Sequence, residues 1–151
     1  MRIREALPVD VAAVTRLRVQ AELTHARLLP DYFRAPDQTV AVSGGDAGPT
    51  VLVAVTGDDV VGYVALRIVD TPRDPTVTSR RRAHVETVAV DEARRRRGVG
   101  TALMRSASDW ARQQGAAELV LTVWADNRAA SALYRSLGYE PIARILRRPI
   151  D

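Results

Sequence analysis

The sequence predicts a single α/β (α+β) domain on a mixed sheet, from three observations. Residues 50–56 and 60–69 are valine-rich runs separated by Gly57-Asp58-Asp59, the pattern of a β-hairpin and hence of an antiparallel pair. Residues 83–125 read strand, helix, strand, and a strand joined to a parallel neighbour through a helix makes a right-handed βαβ unit. The chain has 151 residues, enough to bury roughly two-thirds of its unfolded surface around one core.

Asp10 stands before Val11, Val14, Leu17, Arg18 and Ala21, a helical apolar spacing with an acceptor side chain placed to cap it, which predicts a helix from about residue 9 to 28. From Pro30 to Pro49 there is no clean period, and Ser43-Gly44-Gly45-Asp46-Ala47-Gly48-Pro49 reads as a loop. The hairpin follows, then a connector over 70–80 with two prolines. Ala83 to Val90 reads as a strand. Gly98 to Gln114 reads as a helix, with Val99, Leu103, Ala107 and Trp110 at the 3.6 period and Gly115 as its stop. Glu118 to Ala125 is a further strand. Asn127 to Leu137 is a helix with Ala130, Leu133, Tyr134 and Leu137 on one face, closed by Gly138, and two strand-like pieces around Pro141 end the sequence. No internal repeat or low-complexity segment interrupts the order.

Composition narrows the chemistry. The absence of cysteine excludes disulfides, thiolate nucleophiles and cysteine-based metal sites. His25 and His84 match no metal-ligand spacing, so no metal is expected. The N-terminus lacks an apolar h-region and no stretch approaches the roughly 18 apolar residues of a membrane span, which predicts a cytoplasmic chain with no membrane partner. Net charge is +4, and all 22 basic residues are arginine. Arginine suits anionic ligands through its planar fork of donors, and codon bias in a GC-rich genome gives the same excess.

The segment Arg94-Arg95-Arg96-Arg97-Gly98-Val99-Gly100-Thr101 lies where the strand ending at Val90 passes into a helix. Glycines lack Cβ and let a diphosphate approach the backbone, where first-turn N–H groups and the helix dipole favour an anion. Alternatively Gly98 merely starts the helix and the arginines form a solvated run. The spacing differs from G-x-G-x-x-G, and with no lysine there is no phosphate-binding NTPase loop.

Val85 to Met104, V-E-T-V-A-V-D-E-A-R-R-R-R-G-V-G-T-A-L-M, resembles the coenzyme A motif of the GNAT superfamily of N-acetyltransferases, Q/R-x-x-G-x-G/A after a strand. Arg95, Gly98 and Gly100 fill its fixed positions. Trp124 to Tyr139, W-A-D-N-R-A-A-S-A-L-Y-R-S-L-G-Y, resembles a later motif of the same superfamily. The resemblance implies a mixed, mostly antiparallel sheet, splayed between its fourth and fifth strands and flanked by about four helices, with acetyl-coenzyme A (acetyl-CoA) in the opening. It implies no particular acceptor, because the superfamily acetylates small amines, antibiotics, peptides and protein amino groups.

The same resemblance assigns roles. Backbone amides around Arg96, Arg97, Gly98, Val99, Gly100 and Thr101 hold the diphosphate, with Arg95 as the side chain that touches it. The backbone near Val88 and Val90 pairs with the pantetheine arm, and the Val88 N–H faces the thioester oxygen. Asn127 contacts pantetheine and Tyr134 protonates the departing thiolate. Their seven-residue spacing puts both on one helical face, while an ordinary N-cap and a core aromatic are the plain structural readings. Glu86, amid an apolar strand, is the candidate base, with burial expected to raise its pKa. His84 lies on the same side by alternation and serves as an alternative or a partner.

Two other functions remain open: a non-catalytic acyl-CoA sensor on the same fold, and an arginine-rich nucleic-acid binder, which the scarcity of stacking aromatics disfavours. The acceptor, a small-molecule amine or a peptide, is expected between Leu17 to Gln38 and residues 70–82. Glu22, His25, Asp31 and Tyr32 suit a cationic acceptor, whereas Arg27, Arg34 and Arg80 to Arg82 suit an anionic one. A homodimer is compatible with the sequence, and no segment specifies it.

Overall fold

Valine-rich β2 (Thr50–Thr56) and β3 (Asp59–Asp70) form the expected hairpin in the computed structural model, which describes residues 1–36, 48–70, 76, 78 and 80–150. β4 (Arg81–Val90) pairs antiparallel with β3, and β5 (Glu118–Leu121) runs parallel to β4. The fifth partner is β1 (Arg2–Glu5), antiparallel to β2, so the sheet order is β1-β2-β3-β4-β5. The sequence reading missed β1. Four residues with the single large apolar side chain Ile3 carry too little period to declare a strand, and it is pairing with Leu52 to Val55 that makes it one.

α1 (Val11–Leu28) covers one face of the sheet, and α2 (Val99–Gln113) with α3 (Arg128–Ser136) covers the other. Val14 and Leu17 of α1 pack on Val53, Tyr63 and Ala65. Opposite them, Leu103, Met104 and Ala107 of α2 meet Val64, Leu66 and Val85. Fully buried side chains such as Leu17 and Leu103 each contribute about 1.5–3 kcal/mol. Two single turns of 3₁₀ helix, Pro8–Asp10 and Glu92–Arg94, precede α1 and α2.

Three α-helices and two 3₁₀ turns flank the sheet among the described residues. Several expectations need correction. Asp10 occupies the N-cap of α1 without capping it. Its carboxylate turns back to accept from the Leu7 N–H at 2.7 Å and from two nitrogens of Arg4 at 2.6 and 3.1 Å. The strand expected to reach Ala125 stops at Leu121, where β4 no longer accompanies it. Around Pro141 no strand forms: residues 140–150 have no regular structure and are exposed. Most of the expected 43–49 loop, the end of the acceptor region at Gln38, and 71–75, 77 and 79 of the connector lie outside the described residues.

Candidate active site

The site begins where the sheet parts. β5 accompanies β4 only from Arg82 opposite Glu118 to Val85 opposite Leu121. From Glu86 to Val90, β4 has β3 on one side and, among the described residues, no strand on the other. A bulge marks the same point: Ala65 faces Thr87 while Leu66 faces Val85, so Glu86 is the extra residue. The bulge shifts the alternation, and Val85 and Val88, three residues apart, enter the same core cluster.

The backbone at the parting faces outward. The Asp91 N–H donates to the Val61 carbonyl on β3 at 2.9 Å. Direction alternates along an antiparallel ladder, so the N–H and C=O groups of Val88 and Val90 turn to the open side. The Val90 carbonyl accepts from Arg95 Nε at 3.3 Å, on that side.

Beyond β4 the chain tightens into an anion-binding shape. Asp91 caps the Glu92–Arg94 turn by accepting from the Ala93 N–H at 3.0 Å. Its other carboxylate oxygen accepts from Arg16 of α1 at 2.6 Å, and this hydrogen bond chiefly holds the Asp91 carboxyl below its usual range. Arg96 and Gly98 adopt left-handed φ values of 62° and 80°, and α2 starts at Val99. The first intrahelical bond runs from the Ala102 N–H to the Gly98 carbonyl. The amides of Val99, Gly100 and Thr101 therefore have no acceptor within the helix, and with the left-handed turn before them they form a concavity of N–H groups. Arg96 and Arg97 are exposed. Arg95 is turned towards Val90 and Glu92, the latter at 3.8 Å, so contact with a phosphate requires it to rotate. Gly100 has a second duty, since a Cβ there would sit 3.1 Å from Leu133 Cδ2 of α3.

On the α1 side, Glu86 is not buried as expected. It is exposed, and Arg67 Nε donates to its Oε1 at 2.6 Å. Arg67 stands opposite half-buried His84 in the β3–β4 register, so the expected shared side of His84 and Glu86 is retained. Nearby, the Tyr63 hydroxyl is pushed up to about 12 by burial, moderated by a hydrogen bond to Thr87 and by Arg18. Glu22 accepts from Arg18 at 2.5 Å. Arg67 escaped the sequence reading, although a lone charge in the apolar run Val60 to Val69 was its available signal.

Asn127 and Tyr134 lie near opposite ends of α3. Asn127 is the N-cap, its Oδ1 accepting from the Ala130 N–H at 3.1 Å; its side-chain nitrogen remains a donor for other groups. Tyr134 lies in the core, 8% exposed, beside the Tyr139 ring at 5.6 Å. Burial first, and Tyr139 second, push its hydroxyl up to about 12. An aromatic group joins the end of α1 and the segment after it to the segment after β5; His25 and Tyr32 in it were expected on the acceptor side, Phe33 and Trp124 were not. His25 stacks on Phe33, whose ring meets Trp124 edge-on at 5.0 Å, and Trp124 also meets Tyr32. Tyr32 is 47% and Trp124 37% exposed. A depression of about 380 Å³ lies elsewhere, along Arg128, Ser131 and Arg135 of α3. Among the described residues no three His, Asp or Glu side chains are grouped to hold a metal, and no helix is long and apolar enough to cross a membrane.

Residues 16–139 match the family model described as "Acetyltransferase (GNAT) family". The chain belongs to the GNAT acetyltransferase family. It is 34% identical over 140 residues to the N-alpha-acetyltransferase RimI of Mycobacterium tuberculosis, covering 89% of this chain and 80% of the relative. It is 35% identical over 95 residues to human N-acetyltransferase 8, covering 63% of this chain but only 40% of that protein's length. Among solved structures, a point mutant of the BH1408 protein of Bacillus halodurans superposes with a TM-score of 0.93 at 28% identity, over 99% of both chains.

Proposed function

We propose that the chain is an N-acetyltransferase that moves the acetyl group of acetyl-CoA to a primary amine of a small molecule or peptide by direct attack. The observation that carries this reading is the parting of β4 from β5 at Val85, which leads to a concavity of free amides at the start of α2. An elongated ligand ending in a diphosphate fits it: Val88 and Val90 offer strand-like pairing to amides of the pantetheine arm, and Val99, Gly100 and Thr101 offer donors to the diphosphate. The RimI relative, named for acetylation of α-amino groups, supports an amine as acceptor.

Acetyl-CoA supplies the activated acyl group, and the chain's own groups supply the rest. The Val88 N–H faces the carbonyl oxygen as it gains charge. Glu86, held by Arg67, takes a proton from the amine directly or through water, with His84 as the alternative base. Tyr134 keeps its proton at working pH and donates a hydrogen bond to the departing sulfur. The aromatic group of Tyr32, Phe33 and Trp124 walls the acceptor side, where ring faces attract an ammonium or an apolar substituent. The test is release of free thiol from acetyl-CoA with a panel of amines and N-terminal peptides, beside calorimetry of donor binding. Acceptor-dependent release supports the reading. Tight donor binding with no release on any acceptor indicates the non-catalytic sensor.

A further inference from the structure

Three aromatic rings in contact are left partly in water. Phe33 meets Trp124 edge-on at 5.0 Å and Trp124 meets Tyr32 at 5.4 Å, yet Tyr32 is 47% and Trp124 37% exposed. What lies over the Tyr32 ring is a cation: the Arg147 guanidinium is 4.8 Å from the ring centroid. Ile145 and Leu146, within two residues of it, are 93% and 90% exposed. The same stretch of chain brings apolar side chains near the ring and leaves them in water, while the planar cation takes the ring, as the negative face of an aromatic system favours.

The rings stand at a defined remove from Glu86. On one side, Leu121 is opposite Val85, the residue before Glu86, and Trp124 follows three residues later, at most about 10 Å of extended chain. On the other, the Tyr63 hydroxyl is hydrogen-bonded to Thr87, the residue after Glu86, and feels the charges of Arg18 and Glu22 on α1. Arg18, Glu22 and His25 are spaced i, i+4 and i+7, so they share one face of α1 over about 10 Å of rise. His25 ends that row by stacking on Phe33 at 5.2 Å. Two separate routes along the chain thus put the aromatic group on the order of 10 Å from the groups around Glu86.

We propose that the acceptor amine carries a guanidinium group about 10 Å from the nitrogen that is acetylated, and that this group stacks on Tyr32, beside Trp124, where Arg147 lies in the structure. The inference rests on the assignment of acetyl transfer with Glu86 as base, and gives it a substrate class: a primary amine at one end and a delocalised planar cation at the other. The amine nitrogen bonds the acetyl carbon, the carbon–sulfur bond breaks, the amine proton passes to Glu86 and the sulfur leaves with coenzyme A. The guanidinium takes no part in these steps. It holds the far end of the acceptor and so fixes how far the amine reaches along α1.

Calorimetry on the full chain compares 6-guanidinohexylamine, whose spacer covers about 10 Å, with its neutral isostere 6-ureidohexylamine. The guanidinium should bind about tenfold more tightly, the scale of a cation–π contact on a partly desolvated ring. Tyr32→Leu should abolish that preference, and Tyr32→Phe, which keeps the ring, should keep it. Arg147→Gln should strengthen binding of the guanidinium amine alone, because the ring then has no occupant of its own. In a thiol-release assay the preference should appear in KM rather than in kcat. Equal binding of the two amines by the wild type, or a preference that survives Tyr32→Leu, would overturn the cation site even if both amines are acetylated. Preferential binding with no thiol released from either amine would leave the cation site standing and count against acetyl transfer.

Discussion

Glu86 occupies its place because the β4 bulge gives that strand one residue more than β3, and Arg67 fixes its carboxylate. Replacing it by glutamine keeps the shape and removes the proton acceptor. Turnover should fall by roughly the 10²–10⁴ of general-base catalysis. A variant within threefold of wild type across pH would move the role to His84 or water. Tyr134 obeys a different logic. With its hydroxyl pushed up to about 12, it stays protonated throughout the working range, so it should add no limb of its own below about pH 10. Tyr134→Phe should therefore slow turnover by a constant factor at every pH while donor affinity, read by calorimetry, stays near wild type. A loss that grows with pH would mean that the hydroxyl titrates there and has another role.

α2 and α3 meet through Gly100, and this contact changes what a substitution there does. A methyl at residue 100 presses on the flexible end of Leu133 at 3.1 Å, so Gly100→Ala should cost about 1–3 kcal/mol by overpacking and weaken acetyl-CoA binding as well. Denaturant unfolding and calorimetry on one preparation check both, and a change in affinity alone would separate the turn from the packing. The elements most legible in the sequence were those with local signals: the hairpin from its Gly57-Asp58-Asp59 turn, α2 from its period and its glycines, and α3 from Asn127. What escaped depended on distant partners. Four residues of β1 are a strand only beside β2. The bulge at Glu86 depends on how β4 registers against β3, which strand alternation does not encode. The motif residues Arg95 and Asn127 were found by position, yet Arg95 turns to Val90 and Asn127 spends its carbonyl on a cap, choices made by neighbours within a few residues rather than by the motif itself.

For the whole molecule, titration sets limits to stability at both ends of the pH scale. Asp10 is 5% exposed, and the hydrogen bond from Arg4 is the first cause of its lowered pKa; Asp91 is lowered first by Arg16. A carboxyl whose folded pKa is depressed contributes stability that is complete above its unfolded value, about 3.9, and is lost as pH falls through the folded value. These two pairs fasten β1 and the turn before α2 to the N-terminal part of α1, so acid should loosen both attachments below about pH 4. The alkaline side has the opposite sign. Tyr63 and Tyr134 are raised from 10.0 to about 12, so above pH 10 the unfolded chain releases protons that the fold still holds. Each ring then withdraws about 3 kcal/mol as pH rises from 10 to 12. The denaturant midpoint should be flat from about pH 5 to 9 as far as these four groups govern it, and should fall on either side. Asp10→Asn should flatten the acid arm and leave the alkaline arm alone, whereas Tyr63→Phe should flatten the alkaline arm only. An alkaline arm unchanged in Tyr63→Phe would mean that the folded chain lets this hydroxyl ionise as freely as the unfolded one, and that the burial of Tyr63 between α1 and the sheet does not govern its proton.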